Sequence, residues 1–192
     1  MAQLLKQGTG FYYEGVLNVN PEVCIDWFDE FETNNKYNFL SNFYEGAPFY
    51  CWGELWQTSE HAYAASKVWG VDDETYYKIQ QSSDPQEAKT LGRTAARIRP
   101  DWEEVKLQVM RHVIKSKFKA HGFLMTQLLN TGNAYLQEGT FWNDKVWGVD
   151  LMDEDGNIIL DPLKRQGHNW LGMCLMELRS QIRLGIATSK VG

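Results

Sequence analysis

Trp56-Gln57-Thr58-Ser59-Glu60-His61-Ala62-Tyr63-Ala64-Ala65-Ser66-Lys67 decides how the middle of this chain is read. It predicts a helix from Ser59 to Trp69 that stops at Gly70. Seven residues of α-helix make almost two turns and rise about 10.5 Å. Glu60, Tyr63 and Lys67 therefore share one face, with Trp56 just upstream. Glu60 and Lys67 are too far apart for a helical ion pair, which uses a spacing of three or four. They are well spaced to bracket a sugar ring. Taken alone, the pattern also suits an acidic residue placed near a helix N-terminus and a lysine reaching solvent.

More helices follow. Asp84-Pro85-Gln86-Glu87 reads as an N-cap, a proline at the first helical position and a glutamate two further on, opening a helix to about Ile98. Asp101-Trp102-Glu103-Glu104 is a second acidic capping pattern. It opens a long amphipathic helix with Val105, Val109, Val113 and Phe118 inward, closing at Gly122. Phe123–Asn130 and Asn169–Arg183 are the last two helices, the latter with Leu171, Leu175, Leu178 and Ile182 inward and Gly185 as its stop.

The flanks are β-prone. Phe11-Tyr12-Tyr13 and Val23 to Phe28 predict two added strands, and Pro48 to Trp56 predicts a hairpin turning near Gly53-Glu54. Tyr135-Leu136, Lys145-Val146-Trp147 and Ile158-Ile159-Leu160 predict short late strands, with Asp155-Gly156 as a turn. The expected architecture is a compact α+β domain, helical in its middle and flanked by short β-strands.

With 192 residues and 43% hydrophobic composition, one domain with a real core is expected. The formal charge of −6 argues against a grip on nucleic acid through the overall field. Lys106, Arg111, Lys115, Lys117 and Lys119 form a cationic run, whose usual meaning is a solvated helix face. The three cysteines are far apart and form no C-x-x-C pair, so neither a disulfide framework nor a thiolate zinc site is expected. Cys51 and Cys174 read as core thiols. The four histidines show no metal-ligand spacing, so no metal is expected, and His61 reads as a hydrogen-bonded structural residue. No signal-like or membrane-spanning stretch is visible, and a soluble cytoplasmic protein is the expectation.

G-x-G-x-x-G, P-loop and G-x-S-x-G signatures are absent from the sequence, so dehydrogenase, kinase and serine-hydrolase chemistry is unsupported. Carboxylate, lysine and aromatic chemistry remains. Breaking an N-glycosidic bond builds positive charge at the anomeric carbon, which a carboxylate stabilises. Aromatic faces hold a flat base, and a guanidinium such as that of Arg93 holds a phosphate. An amine can form a Schiff base with an opened ribose. Glu60, Lys67, Arg93, Trp102 and Trp147 supply these types. Plainer readings stand beside these: packing for Trp102 and Trp147, a helix-end cap or ion pair for Arg93, and, for three other polar residues, a turn for Asp150, an Asx-turn for Asn42 and a helix cap for Asn169.

Several motifs occur in a fixed order: Phe39-Leu40-Ser41-Asn42-Phe43, then Trp56 to Tyr63, Ala88-Lys89 with Gly92-Arg93, Trp102-Glu103 with Val105-Lys106, Trp147-Gly148-Val149-Asp150, and Asn169 to Arg183. In this order the chain resembles the YbiA-like or NADAR family, over roughly Asn38 to Arg183. The resemblance implies a YbiA-like domain at 36–185, with a β-prone extension at 1–35 and a tail at 186–192. It implies an N-glycosidase that needs no cofactor. The substrate would be a small phosphoribosyl molecule of the early riboflavin pathway, or ADP-ribose joined to guanine, including guanine in nucleic acid. Glu60, Lys67 and Asp150 are the expected catalytic groups. Asn42, Phe43, Tyr63, Arg93, Trp102, Trp147 and Asn169 are the expected substrate-binding groups. The alternative is a non-catalytic module that binds ADP-ribose-like nucleotides. Asp150 to Gln166 departs from the family pattern as an insert before the Asn169 motif, and it bears on substrate choice.

Overall fold

The computed structural model describes residues 4–7, 10–13, 19–26 and 36–185. In chain order these form β1 (Leu4–Gln7), β2 (Gly10–Tyr13), β3 (Asn20–Asp26), β4 (Phe49–Cys51), β5 (Glu54–Trp56), α1 (Ser59–Val68), α2 (Asp73–Gln80), α3 (Pro85–Thr94), α4 (Trp102–Ala120) and α5 (Gly122–Asn130). β6 (Ala134–Gln137), β7 (Gly139–Thr140), β8 (Val149–Asp150) and α6 (Trp170–Arg183) complete the series. The class is α+β, as expected. Trp27, Phe28 and the 186–192 tail lie outside the described residues. The chain divides into two compact units, Lys36–Leu124 and the combination of Met1–Asn35 with Met125–Gly192, the boundary falling inside α5.

In the Lys36–Leu124 unit, side-chain oxygens start three helices. Thr58 accepts the His61 N–H, Asp72 the Thr75 N–H and Asp84 the Glu87 N–H, each satisfying a first-turn amide. Pro85 sits at the start of α3 as expected. Ala62, Ala64 and Ala65 on α1 are fully buried and let α2, α3 and α4 approach closely. A Cβ on Gly92 of α3 would lie 2.9 Å from Ala64 Cβ, so that glycine sets the α1–α3 spacing. Phe49, Cys51, Trp56, Val68, Ile79 and Val113 fill the core around these alanines.

Several expectations for this unit change. The hairpin joining β4 to β5 turns at Trp52-Gly53, both at positive φ (52° and 82°), the pattern of a type I′ turn. α2 is an element that the sequence reading lacked. α3 ends at Thr94, not near Ile98, because Ala95 turns extended (φ −56°, ψ 132°). That exit takes the Arg99 N–H back to the Lys67 carbonyl at 2.8 Å, closing the end of α1. Asp101 makes no cap bond, since its carboxylate is bidentate to Arg99 at 2.6 and 2.8 Å. Lys117 is not on a solvated face. It is buried, donating to the Phe39 and Ser41 carbonyls at 2.9 and 2.8 Å.

In the other unit β3 runs parallel to β6, and β7 parallel to β8. α6 packs on β6. Gly172 permits this, because a Cβ there would collide with the Leu136 carbonyl. Leu171, Leu175 and Leu178 are buried as expected, whereas Ile182 is half-buried. Arg179 is buried too, donating to Thr131 Oγ1 at 2.7 Å and the Ala134 carbonyl at 2.8 Å. Lys145–Trp147 is a turn and not a strand: Asp144 Oδ1 accepts the N–H groups of Val146 and Trp147 at 3.1 and 3.0 Å. Ile158 makes only an isolated bridge to Met152.

Candidate active site

Seven of the ten sequence-predicted site residues fall in the Lys36–Leu124 unit: Asn42, Phe43, Glu60, Tyr63, Lys67, Arg93 and Trp102. Glu60 is in the first turn of α1, only 8% exposed. Its N–H donates to the Asn42 carbonyl at 3.0 Å. That bond joins the Phe39–Phe43 motif to the start of the helix. Asn42 is buried, and its amide lies 3.6 Å from Met110 Sδ. The next turns of α1 present Tyr63 and Lys67. Lys67 Nζ lies 5.3 Å from the Tyr63 ring centre and 5.9 Å from that of Trp102. The two rings tilt against each other at 5.1 Å. The amine therefore sits beside aromatic faces on the helical face that carries Glu60.

Burial is the main influence holding the Lys67 amine below its usual range. Glu60 pulls the other way, and Lys89, Arg93 and Lys106 push it further down. These charges thus act on one small region. Lys89 also lies 5.2 Å from the ring centre of Phe43. Arg93 is exposed at the end of α3, and Lys106 pairs with Glu103 at 2.5 Å on α4. Lys89 and Lys106 are not among the sequence-predicted candidates, although their charges act on the Lys67 amine. The first sits in the Ala88–Arg93 motif one turn before Arg93, so its helical spacing was the available signal.

His61 follows Glu60 but turns inward. It is buried, its Nδ1 is 2.8 Å from Thr58 Oγ1, and its Nε2 is 3.4 Å from the Ser82 carbonyl. A carbonyl can only accept, so Nε2 carries the proton and Nδ1 accepts from the Thr58 hydroxyl. Burial lowers its pKa and keeps the ring neutral. It is buried and hydrogen-bonded within the fold, the environment that the sequence reading expected.

Trp147, Asp150 and Asn169 belong to the other unit. Trp147 meets Trp170 edge-on at 5.8 Å. Asp150 ends β8, with Lys145 Nζ at 3.9 Å and the Met152 N–H on its Oδ1 at 3.2 Å. Asn169 is fully buried at left-handed φ (52°). It accepts from the Glu138 N–H at 3.0 Å and donates to the Leu136 carbonyl at 2.8 Å and the Tyr135 hydroxyl at 3.2 Å. Its amide is committed to joining α6 with β6, and it makes no cap bond. Among the described residues no cluster of three or more His, Cys, Asp or Glu side chains is placed to hold a metal. No described helix is long and apolar enough to cross a membrane.

The NADAR domain model matches residues 29–183. The chain belongs to the NADAR-domain family. It is 37% identical over 155 residues to N-glycosidase YbiA of Escherichia coli (strain K12), spanning 80% of this chain and 87% of that protein. It is 36% identical over 148 residues to a chloroplastic riboflavin biosynthesis protein, PYRR, of Zea mays, spanning 71% of this chain but 22% of the maize protein. The fold matches the NMR structure of the E. coli YbiA protein with a TM-score of 0.69 and 33% identity, covering 92% of this chain and 94% of that one.

Proposed function

We infer that this NADAR-family chain is a hydrolase of N-glycosyl compounds that breaks the bond between ribose C1 and a base nitrogen, on a substrate carrying a phosphate. The observation that carries the reading is the α1 face. It offers a buried carboxylate at its first turn and an amine two turns later, with three further cations acting on that amine. The class agrees with the N-glycosidase relatives. The riboflavin biosynthesis names of other relatives favour a phosphoribosyl intermediate of that chemistry as substrate. ADP-ribose joined to guanine offers the same bond with a diphosphate in place of one phosphate.

In this reading Glu60 faces the charge that grows on C1 as the base departs. Its place in the first helical turn favours the ionised form. Water adds to C1, the nitrogen–carbon bond breaks and the base leaves with a proton. Arg93, Lys89 and Lys106 hold the phosphate, and Tyr63 and Trp102 flank the sugar. Asn42 sets the start of α1 through its carbonyl bond to Glu60. Trp147→Ala and Asp150→Asn ask separately whether the other unit contributes to turnover.

The testing experiment is a mass-spectrometric panel of phosphoribosyl and ADP-ribosyl substrates incubated with the purified chain. Release of free base from one of them is expected, and binding without release over long incubation would select the non-catalytic nucleotide module. Lys67 has a second reading as a nucleophile, favoured by the depressed basicity of its amine. Its amine would attack C1 as the base departs with a proton, the ring would open to leave an imine, and water would then hydrolyse that imine to release the sugar and restore the amine. Borohydride added during turnover then traps an adduct on Lys67. Full activity in Lys67→Arg would leave only phosphate binding for this side chain.

A further inference from the structure

A cavity of about 360 Å³ opens in the Lys36–Leu124 unit, lined by Trp52, Glu54, Trp56, Trp69, Tyr76 and Arg99 among others. None of the residues placed at the candidate active site lines it. α1 reaches it through Ser66, and the chain just after that helix through Trp69, whereas Glu60, Tyr63 and Lys67 lie on another face of the helix.

Buried Trp56 forms one wall. Its Nε1–H donates to the Cys51 carbonyl at 3.1 Å, and its ring meets Tyr76 edge-on at 5.8 Å. Trp52 and Trp69 flank the cavity at 51% and 62% exposure. Two half-wet indoles beside a hollow are more apolar surface than a folded chain usually leaves without a purpose. Trp52 also holds a left-handed backbone (φ 52°), which is unfavourable for a bulky residue. Its ring stacks on His112 at 5.0 Å and 14°. A turn that would accept asparagine or glycine thus carries a tryptophan, held at the cavity.

The charges have one sign to spare. Arg99 lies 5.8 Å from the Trp69 ring centre, but Asp101 matches its charge through two hydrogen bonds. Burial, aided by Lys115, holds His112 below its usual range and favours its neutral form. Glu54 takes a hydrogen bond from the Gln80 amide, and no basic side chain among the described residues forms an ion pair with it. Burial and the Glu54 charge push the Tyr76 hydroxyl up to about 12, so it stays neutral. The cavity therefore combines electron-rich aromatic faces with one unmatched carboxylate, the chemistry that recognises quaternary ammonium groups.

We propose that this cavity is a second ligand site, binding a small organic cation whose charge rests against Glu54 and between the Trp52 and Trp69 rings. The test is calorimetric titration of the purified chain with benzyltrimethylammonium, benzyl alcohol and benzoate, with the indole N–H resonances of the same samples followed by NMR. The cation should bind saturably and about tenfold tighter than the alcohol, with benzoate weakest. It should shift the Trp52 and Trp69 resonances. Glu54→Gln should erase the cation's advantage over the alcohol, and Trp69→Ala should weaken both, with each variant's fold checked by thermal unfolding. Equal binding of cation and alcohol by the wild-type chain, or shifts confined to Trp102 and Trp147, would overturn the proposal without need of any variant.

Discussion

At the scale of single residues, Glu60 and Lys117 make opposite demands on charge. Glu60 carries the proposed chemistry. Glu60→Gln keeps the side-chain shape and the backbone bond to Asn42 but removes the charge. Its kcat should fall by about 10²–10³ with little change in KM, as for other groups that act only in the transition state. Steady-state kinetics on the substrate identified by mass spectrometry checks this. Lys117 is a fully buried amine with two carbonyl acceptors, and a neutral NH₂ has just two protons to donate. Burial pushes its pKa down to about 7. Between that value and the ordinary 10.5 of an unfolded lysine, the unfolded state binds a proton that the folded state does not. Raising the pH through this window therefore favours folding, by about 1.4 kcal/mol per unit. Denaturant midpoints from pH 7 to 9 should rise in the wild-type chain relative to Lys117→Met. A parallel pH profile for the two would show that the amine stays charged.

The helices show which local signals survive assembly. α1 was legible because its cap, Thr58, and its run of small residues act within a few positions of one another. α2 escaped notice because only Ile79 in it is fully buried, leaving a faint periodicity. Lys145–Trp147 looked like a strand from its apolar letters, yet Asp144 in front of it supplied the turn. Lys117 reads as part of a solvated cationic run, yet it shares a stripe with Met110, Val113 and Ile114, all buried. At the site, the residues of α1 were readable from spacing, whereas Lys89 and Lys106 gain their place only once α3 and α4 pack beside α1. That packing is testable. Alanine favours a helix over glycine by about 1 kcal/mol, but at Gly92 its Cβ would press on Ala64 at 2.9 Å. Overpacking should win, so Gly92→Ala should unfold several degrees lower. Shifting α3 also shifts Lys89 and Arg93, so KM should rise more for a phosphorylated substrate than for its dephosphorylated form.

Across the whole molecule the formal net charge is −6, whereas the charges that act on the Lys67 amine include three cations. A small phosphorylated substrate meets mainly the cations, whereas a long polyanion meets the whole field. ADP-ribose carried on a guanine nucleoside should therefore be cleaved with a higher kcat/KM than the same group within an oligonucleotide. The gap should narrow as salt is added. Comparable rates on both at low ionic strength would show that the field does not govern access. The family match begins at residue 29, after β3 has ended at Asp26, yet β3 supplies the hydrogen-bonding neighbour of β6. Asp26 also pairs with Arg165 at 2.6 Å and accepts the Gly139 N–H at 3.2 Å. A chain trimmed to the domain boundary would leave a buried strand with an unsatisfied rim and Arg165 without its carboxylate. Such a rim recruits strands from other molecules, so the truncated protein should self-associate on size-exclusion chromatography, making the residues before the domain an intramolecular guard against aggregation.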